Sequence, residues 1–355
     1  MKKVLKFILP VAIIFTACKK EDVEPQVPQN QPAKGIYILS EGSFGGNNSK
    51  LAYYNLSTGN FNDDFYRQQN GKDLGDTGND AIIYGSKMYI VVNASGYVAV
   101  AKASTATLID SISFIVGGIN KGPRFVTATN GKVFVSSSDG TVSVIDTTTL
   151  NISRSITVGS NPEGIAVLGN YLYVANSGGF NYPNVDSTVS VVDLTSYSEI
   201  KKIKVGKNPG QIAVSNRGDV YVASYGVGSS IPPVITVING STNEVRTTLT
   251  SSIQFTHIRI NKNVAYLYNQ YGLPKILMLN TDDNSIIRND FITDGTSIQA
   301  VYNISFDSEN DDVYVCDAKN YFSNGQVYCF DKNGVNKFFV NLNPGVNPNK
   351  VLFIR

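Results

Sequence analysis

The stretch Asn161-Pro-Glu-Gly-Ile-Ala-Val167, Leu172-Tyr-Val-Ala-Asn176, Thr188-Val-Ser-Val-Val-Asp193 and Ile203-Lys-Val-Gly206 decides the fold. Val and Ile alternate with Ser and Thr, and turn residues such as Gly169-Asn170 separate the runs. That is the pattern of short, half-buried strands. Four of them fit between residues 161 and 206. The second is built on an apolar–aromatic–apolar triplet, Leu172-Tyr173-Val174, and the triplet recurs. It returns as Ile36-Tyr37-Ile38, Met88-Tyr89-Ile90, Val133-Phe134-Val135, Val220-Tyr221-Val222, Ala265-Tyr266-Leu267 and Val313-Tyr314-Val315. Successive aromatics lie 52, 45, 39, 48, 45 and 48 residues apart, a spacing typical of blade-sized repeats.

Seven copies of four strands predict an all-β chain, a seven-bladed β-propeller of four-stranded antiparallel blades. No segment of the mature chain carries a helical period. The C-terminal Lys350-Val-Leu-Phe-Ile354 reads as a first strand, introduced by Asn347-Pro348 as others are by Asn161-Pro162 and Asn208-Pro209. Gly35 to Asn60 holds three strands and lacks that first one. One blade is therefore expected to join both ends of the chain, and residues 35–355 form one domain.

Residues 1–17 stand apart from this pattern. Lys2, Lys3 and Lys6 make a basic start to an apolar run too short to span a bilayer, as in a secretory signal. The run ends in Phe15-Thr16-Ala17-Cys18, which resembles the lipobox of bacterial lipoproteins, whose Cys is acylated. An ordinary signal peptide with an incidental Cys18 is the alternative. Residues 18–34 read as a charged, Pro- and Gln-rich tether with nothing to bury. Its Lys19-Lys-Glu-Asp22 start resembles the surface-export signal of some Gram-negative lipoproteins, which implies an outer-membrane anchor facing the cell exterior. The formal charge of +2 includes the three signal lysines. The mature chain, near neutrality, has no electrostatic reason to bind nucleic acid or an anionic membrane, so attachment rests on the lipid. Cys316 and Cys329 flank an expected hairpin loop; if the loop is symmetric they face each other. A disulfide and a pair of buried thiols both fit.

The combination quoted at residues 161–193 closely resembles the YVTN-repeat (YncE-like) propellers, best between about residues 120 and 240. Gly35-Ile-Tyr-Ile-Leu-Ser-Glu-Gly-Ser-Phe-Gly-Gly-Asn-Asn48, with Gly75-Asp-Thr-Gly-Asn-Asp80, resembles a surface-lipoprotein branch of that group, the BtuG-type cobalamin-capture lipoproteins. That resemblance implies capture of cobalamin or a related corrinoid for a TonB-dependent outer-membrane transporter. One fold hosts many functions, so a glycan or other nutrient, or a protein–protein scaffold, are the alternatives.

The loop after each aromatic strand varies most, and the long ones carry Phe44, Phe180, Tyr182, Tyr225, Tyr271, Tyr321 and Phe322. Flat rings among Gly and Asn suit a large, partly planar ligand; packing of the loops against one another is the plainer reading. Asp76, Asn79, Asp80 and Arg124 sit at entries to first strands, where they line the channel mouth or satisfy tight turns. The single histidine, His257, begins such a strand and reads as structural, with channel access the lesser alternative. No nucleophile elbow or phosphate-cradling loop is present. Propeller quinoproteins carry recurring tryptophans, and this chain has none. Metal-dependent propeller hydrolases need clustered acids, of which only Asp76 and Asp80 qualify, while Asp307 to Asp312 reads as a solvated turn. A non-enzymatic binding protein without a metal or cofactor of its own is the expectation.

Overall fold

A computed structural model describes residues 31–250 and 255–355. Residues 1–17, expected to be a signal, and Cys18 lie outside these residues. Seven four-stranded antiparallel sheets surround one axis. The innermost strands are Gly78–Tyr84, Pro123–Thr129, Pro162–Leu168, Pro209–Val214, His257–Asn261, Val301–Asp307 and Pro348–Ile354. Blades 2 to 7 each run outward from one of the first six in chain order. Blade 1 is closed by the C-terminal strand Pro348–Ile354, which pairs with Gly35–Ser40. Lys50–Asn55 and Phe61–Asn62 complete it, the last just beyond the expected Asn60.

The recurring aromatics are the mortar between blades. Each of the seven is at most 4% exposed, and burying such a ring contributes about 2–3 kcal/mol. In two copies the hydroxyl adds a bond to the outer turn of the next blade. Tyr173 reaches Asn243 Oδ1, and Tyr221 reaches Asn284 Oδ1 at 2.7 Å and the Thr281 carbonyl at 3.1 Å. Asn243 and Asn284 hold positive φ (56° and 62°), a conformation that Asn tolerates better than most residues.

Two expectations need correction, and one choice left open is decided. A helix, Phe65–Asn70, follows blade 1 and buries Tyr66; at six residues it is too short to leave a period in the sequence. Cys316 and Cys329 are free and buried. Their strands pair Cys316 with Val327 and Tyr314 with Cys329, so the hairpin is centred one residue earlier than a symmetric loop between them requires. Offset by two positions, their Cα atoms are diagonal neighbours at about 7–8 Å, beyond ordinary disulfide reach. Asp307 and Asp312 are not solvated: they are 0% and 4% exposed, paired with Arg355 and Lys337, each at 2.6 Å. Only the tip, Ser308 to Asn310, faces water.

Tyr221→Phe removes the bonds to Asn284 and to the Thr281 carbonyl and leaves the ring in place. It is expected to lower unfolding free energy by about 1 kcal/mol. Denaturant titration of Tyr221→Phe, Asn284→Ala and the double variant should show the two losses failing to add.

Candidate functional site

The site begins with a backbone irregularity. Where each innermost strand enters the sheet, its register against the next strand slips in blades 1, 2, 3, 4, 5 and 7. A bulge leaves its extra residue unpaired and re-aims it. Here it turns Asn349, Asn79, Arg124, Glu163 and Tyr302 into the axis, where all five line one cavity. The residue before the strand has positive φ in five blades: Thr77, Gly122, Asn161, Asn208 and Asn347. That accounts for the recurring Asn before Pro, since Asn accepts the left-handed region. In blade 5 the bulged residue is Gly210, where a Cβ would come within 2.1 Å of the Tyr225 ring. Tyr225 and Gln211 line the cavity in its stead.

The cavity holds about 220 Å³ and opens on the face where second strands turn into third strands. A hydrogen-bonded girdle surrounds it. Arg124 Nη2 lies 2.8 Å from Glu163 Oε2, and Arg124 Nη1 donates to Asn79 Oδ1 at 2.7 Å. Asn349 donates to the Asn79 carbonyl, and Asn303 Nδ2 donates to Asn349 Oδ1 at 3.1 Å. Arg259 Nε donates to Asn303 Oδ1 at 3.0 Å and its Nη1 donates to Gln211 Oε1. Above the girdle the Tyr302 hydroxyl donates to Glu41 Oε2 at 2.6 Å.

Burial raises the Glu41 carboxyl above its usual range, although Tyr302 and Arg124 pull it back. Burial also opposes the Arg124 charge, yet Glu163 outweighs it and holds the guanidinium above its ordinary value. His257 is 6% exposed. Its ring stacks 5.2 Å from Tyr268, and Nδ1 lies 2.9 Å from the Thr256 hydroxyl. Burial first, and then the Arg259 charge, lower its pKa to about 3, so the imidazole is neutral at physiological pH.

Of the residues singled out from sequence, Asn79, Arg124, Tyr225, Tyr271 and His257 line this cavity, so His257 takes the channel access that was its lesser alternative. Tyr321 backs it, with its ring 5.0 Å from Tyr271 and its hydroxyl donating to the Gln270 carbonyl. Phe44, Phe180, Tyr182 and Phe322 stand on the surrounding loops, 60–86% exposed. Asp76 and Asp80 face other duties. Asp76 accepts from the Gly45 amide and the Thr77 hydroxyl. Asp80 pairs with Lys350 at 2.9 Å and accepts from the Val126 amide. Sequence reasoning passed over Glu41, Phe125, Glu163, Gln211, Arg259, Gln270, Tyr302, Asn303 and Asn349. Extending the register of Asn79 and Arg124 to every first strand finds Glu163, Tyr302 and Asn349. Among the described residues no group of three His, Cys, Asp or Glu is placed to hold a metal.

A family model matches residues 34–353. The chain belongs to that family, Domain of unknown function (DUF5074). No curated protein sequence matches this DUF5074 chain. Among solved structures it is similar to a quinonprotein alcohol dehydrogenase-like protein from Bacteroides thetaiotaomicron. The two share 16% identity and a TM-score of 0.66, over 90% of this chain and 78% of that one. Hydrazine synthase from Kuenenia stuttgartiensis shares 16% identity and a TM-score of 0.59, over 72% and 76%. The computationally designed Ika8 protein shares 15% and 0.57, over 86% and 87%. At these identities the likeness shows the fold alone.

The buried neutral His257 makes stability depend on pH. Its folded pKa lies below the unfolded value, so its contribution is present above pH 6.5 and is lost as pH falls toward 3. Wild-type unfolding free energy is expected to drop by about 1.4 kcal/mol per pH unit between pH 6 and 5. His257→Gln should flatten that slope in urea titrations; an equal slope in both proteins excludes His257 as its source.

Proposed function

We propose that this DUF5074 protein is a lipid-anchored surface protein that captures a nutrient on its loop face. The ligand is a cobalamin or related corrinoid, handed to a TonB-dependent outer-membrane transporter. One observation carries the binding reading: a polar cavity on the axis is ringed, on the same face, by exposed Phe44, Phe180, Tyr182, Tyr271 and Phe322. Such a mouth suits a ligand with a flat apolar body and polar arms. A corrin ring is too large for the cavity and would rest across the loops, its amide arms reaching Arg124, Glu163 and Asn349. The groups capable of acid–base work are tied to one another, Arg124 to Glu163 and Tyr302 to Glu41. That favours holding a ligand over turning one over.

The tether geometry supports the orientation. Gly35 pairs with Ile354, and the Arg355 guanidinium donates to the Gln31 carbonyl at 2.8 Å. The chain thus enters the ring on the side opposite the loops. Anchored through Cys18, the loop face looks away from the membrane. A hairpin after blade 2 exposes Ile115, Val116 and Ile119, apolar surface suited to a protein partner at the rim.

Calorimetric titration of residues 31–355 with cyanocobalamin and with cobinamide tests the ligand. Nanomolar binding is expected, weakened about tenfold by Tyr271→Ala or Phe180→Ala, as for loss of one aromatic anchor. No heat and no melting shift at about 100 µM ligand would overturn the corrinoid reading and favour a glycan or a protein partner. The anchor is tested separately: Cys18→Ala should move the protein from the membrane to the soluble fraction and abolish fatty-acid labelling.

A further inference from the structure

Two cavities follow one another along the axis. Beyond the polar one lies a second of about 400 Å³, walled by Ile83, Ile260, Phe306, Leu352 and Phe353. These residues come later in their strands than the girdle, so this cavity lies toward the opposite face. Arg259 lines both cavities and stands at the waist between them. It comes from blade 6, whose innermost strand pairs with its neighbour without a register slip.

The Arg259 guanidinium is held only by neutral groups. Its bonds go to Asn303 Oδ1, to Gln211 Oε1 and to the Ile258 carbonyl, using three of its five N–H donors. Among the described residues no carboxylate lies within ion-pair distance of it. The other cations lining these cavities are matched: Arg124 by Glu163 at 2.8 Å and Lys350 by Asp80 at 2.9 Å. Glu41 is engaged by Tyr302 at 2.6 Å and not by Arg259. His257, beside Arg259, is neutral. A cation held only by neutral groups keeps N–H donors and a charge that an anionic ligand can match.

We propose that Arg259 anchors an oxyanion, a phosphate or a carboxylate, carried by the ligand of the loop-face cavity. The polar girdle offers several hydrogen bonds to such a group, whereas the second cavity is mostly Ile, Leu and Phe and its Lys350 is already paired with Asp80. Entry is therefore from the loop face. The inference rests on the loop-face reading for that direction, and it names an ionic feature that strengthens binding of a ligand that carries it. Arg suits the task because its planar fork matches the two oxygens of an oxyanion.

Melting temperature of residues 31–355 at pH 7 is the test, in chloride, inorganic phosphate and acetate at equal ionic strength. Phosphate or acetate should raise it saturably in wild type, and which one does so separates the two oxyanions. Arg259→Gln should move the half-saturating concentration up at least tenfold. Arg259→Lys, which keeps the charge and loses the fork, should fall between. In chloride Arg259→Gln should melt no lower than wild type, because it removes an unmatched charge. An equal rise in wild type and Arg259→Gln, or no rise in wild type at all, overturns the anchor. A lower melting point of Arg259→Gln in chloride, with no anion effect in Arg259→Lys, makes Arg259 a structural strut and also overturns it. Corrinoid titration is scored apart: a protein that ignores corrinoids yet shows the Arg259-dependent effect refutes the corrinoid and leaves the anchor standing.

Discussion

The site depends on the register slip at the head of six of the seven innermost strands. It puts one unpaired residue per blade at the channel mouth, and nearly everything chemical about the protein follows from which residue that is. In blade 5 it is a glycine, and a tyrosine ring fills the space left by the missing side chain. In blade 6 there is no slip, and an arginine reaches the waist from a regular strand. Function is thus written in seven positions of a repeated scaffold, while the scaffold is indifferent to their identity.

The girdle is a compromise between cohesion and availability. Amides and one matched ion pair knit neighbouring blades where no apolar core exists, and partly shielded pairs of this kind contribute little net stability while fixing geometry. Packing energy comes instead from the interblade clusters, as where Tyr173 and Val191 meet Ile212 and Val220. A site held by hydrogen bonds on top of a rigid apolar frame arrives preorganised, so a ligand loses little affinity to reorganisation.

The fold was legible because its signal repeats. One Leu-Tyr-Val triplet says little, but seven at blade spacing leave one architecture, and the ring closure followed from a strand missing at one end and present at the other. The site was legible only in part. Asn79 and Arg124 were found from their place at strand entries, yet the same register was not carried to Glu163, Tyr302 and Asn349. Arg259 could not be found that way, because its blade breaks the rule. Asp80 looked like a channel residue and is instead an internal strut to Lys350; which way a side chain turns at a bulge is not encoded in residue type. The choice between a disulfide and buried thiols turned on a similar point, since a one-residue shift in the hairpin centre displaces the pairing by two.

Blade 1 also imposes an order in time. Its innermost strand, residues 348–354, pairs with residues 35–40, which are made some three hundred residues earlier. Until then the first sheet keeps a bare edge, and the girdle lacks Asn349 and its bonds to Asn79 and Asn303. Such long-range pairing is slow to form, and the ring cannot lock while the chain is still emerging. The architecture thus stays open until the strand at residues 348–354 arrives.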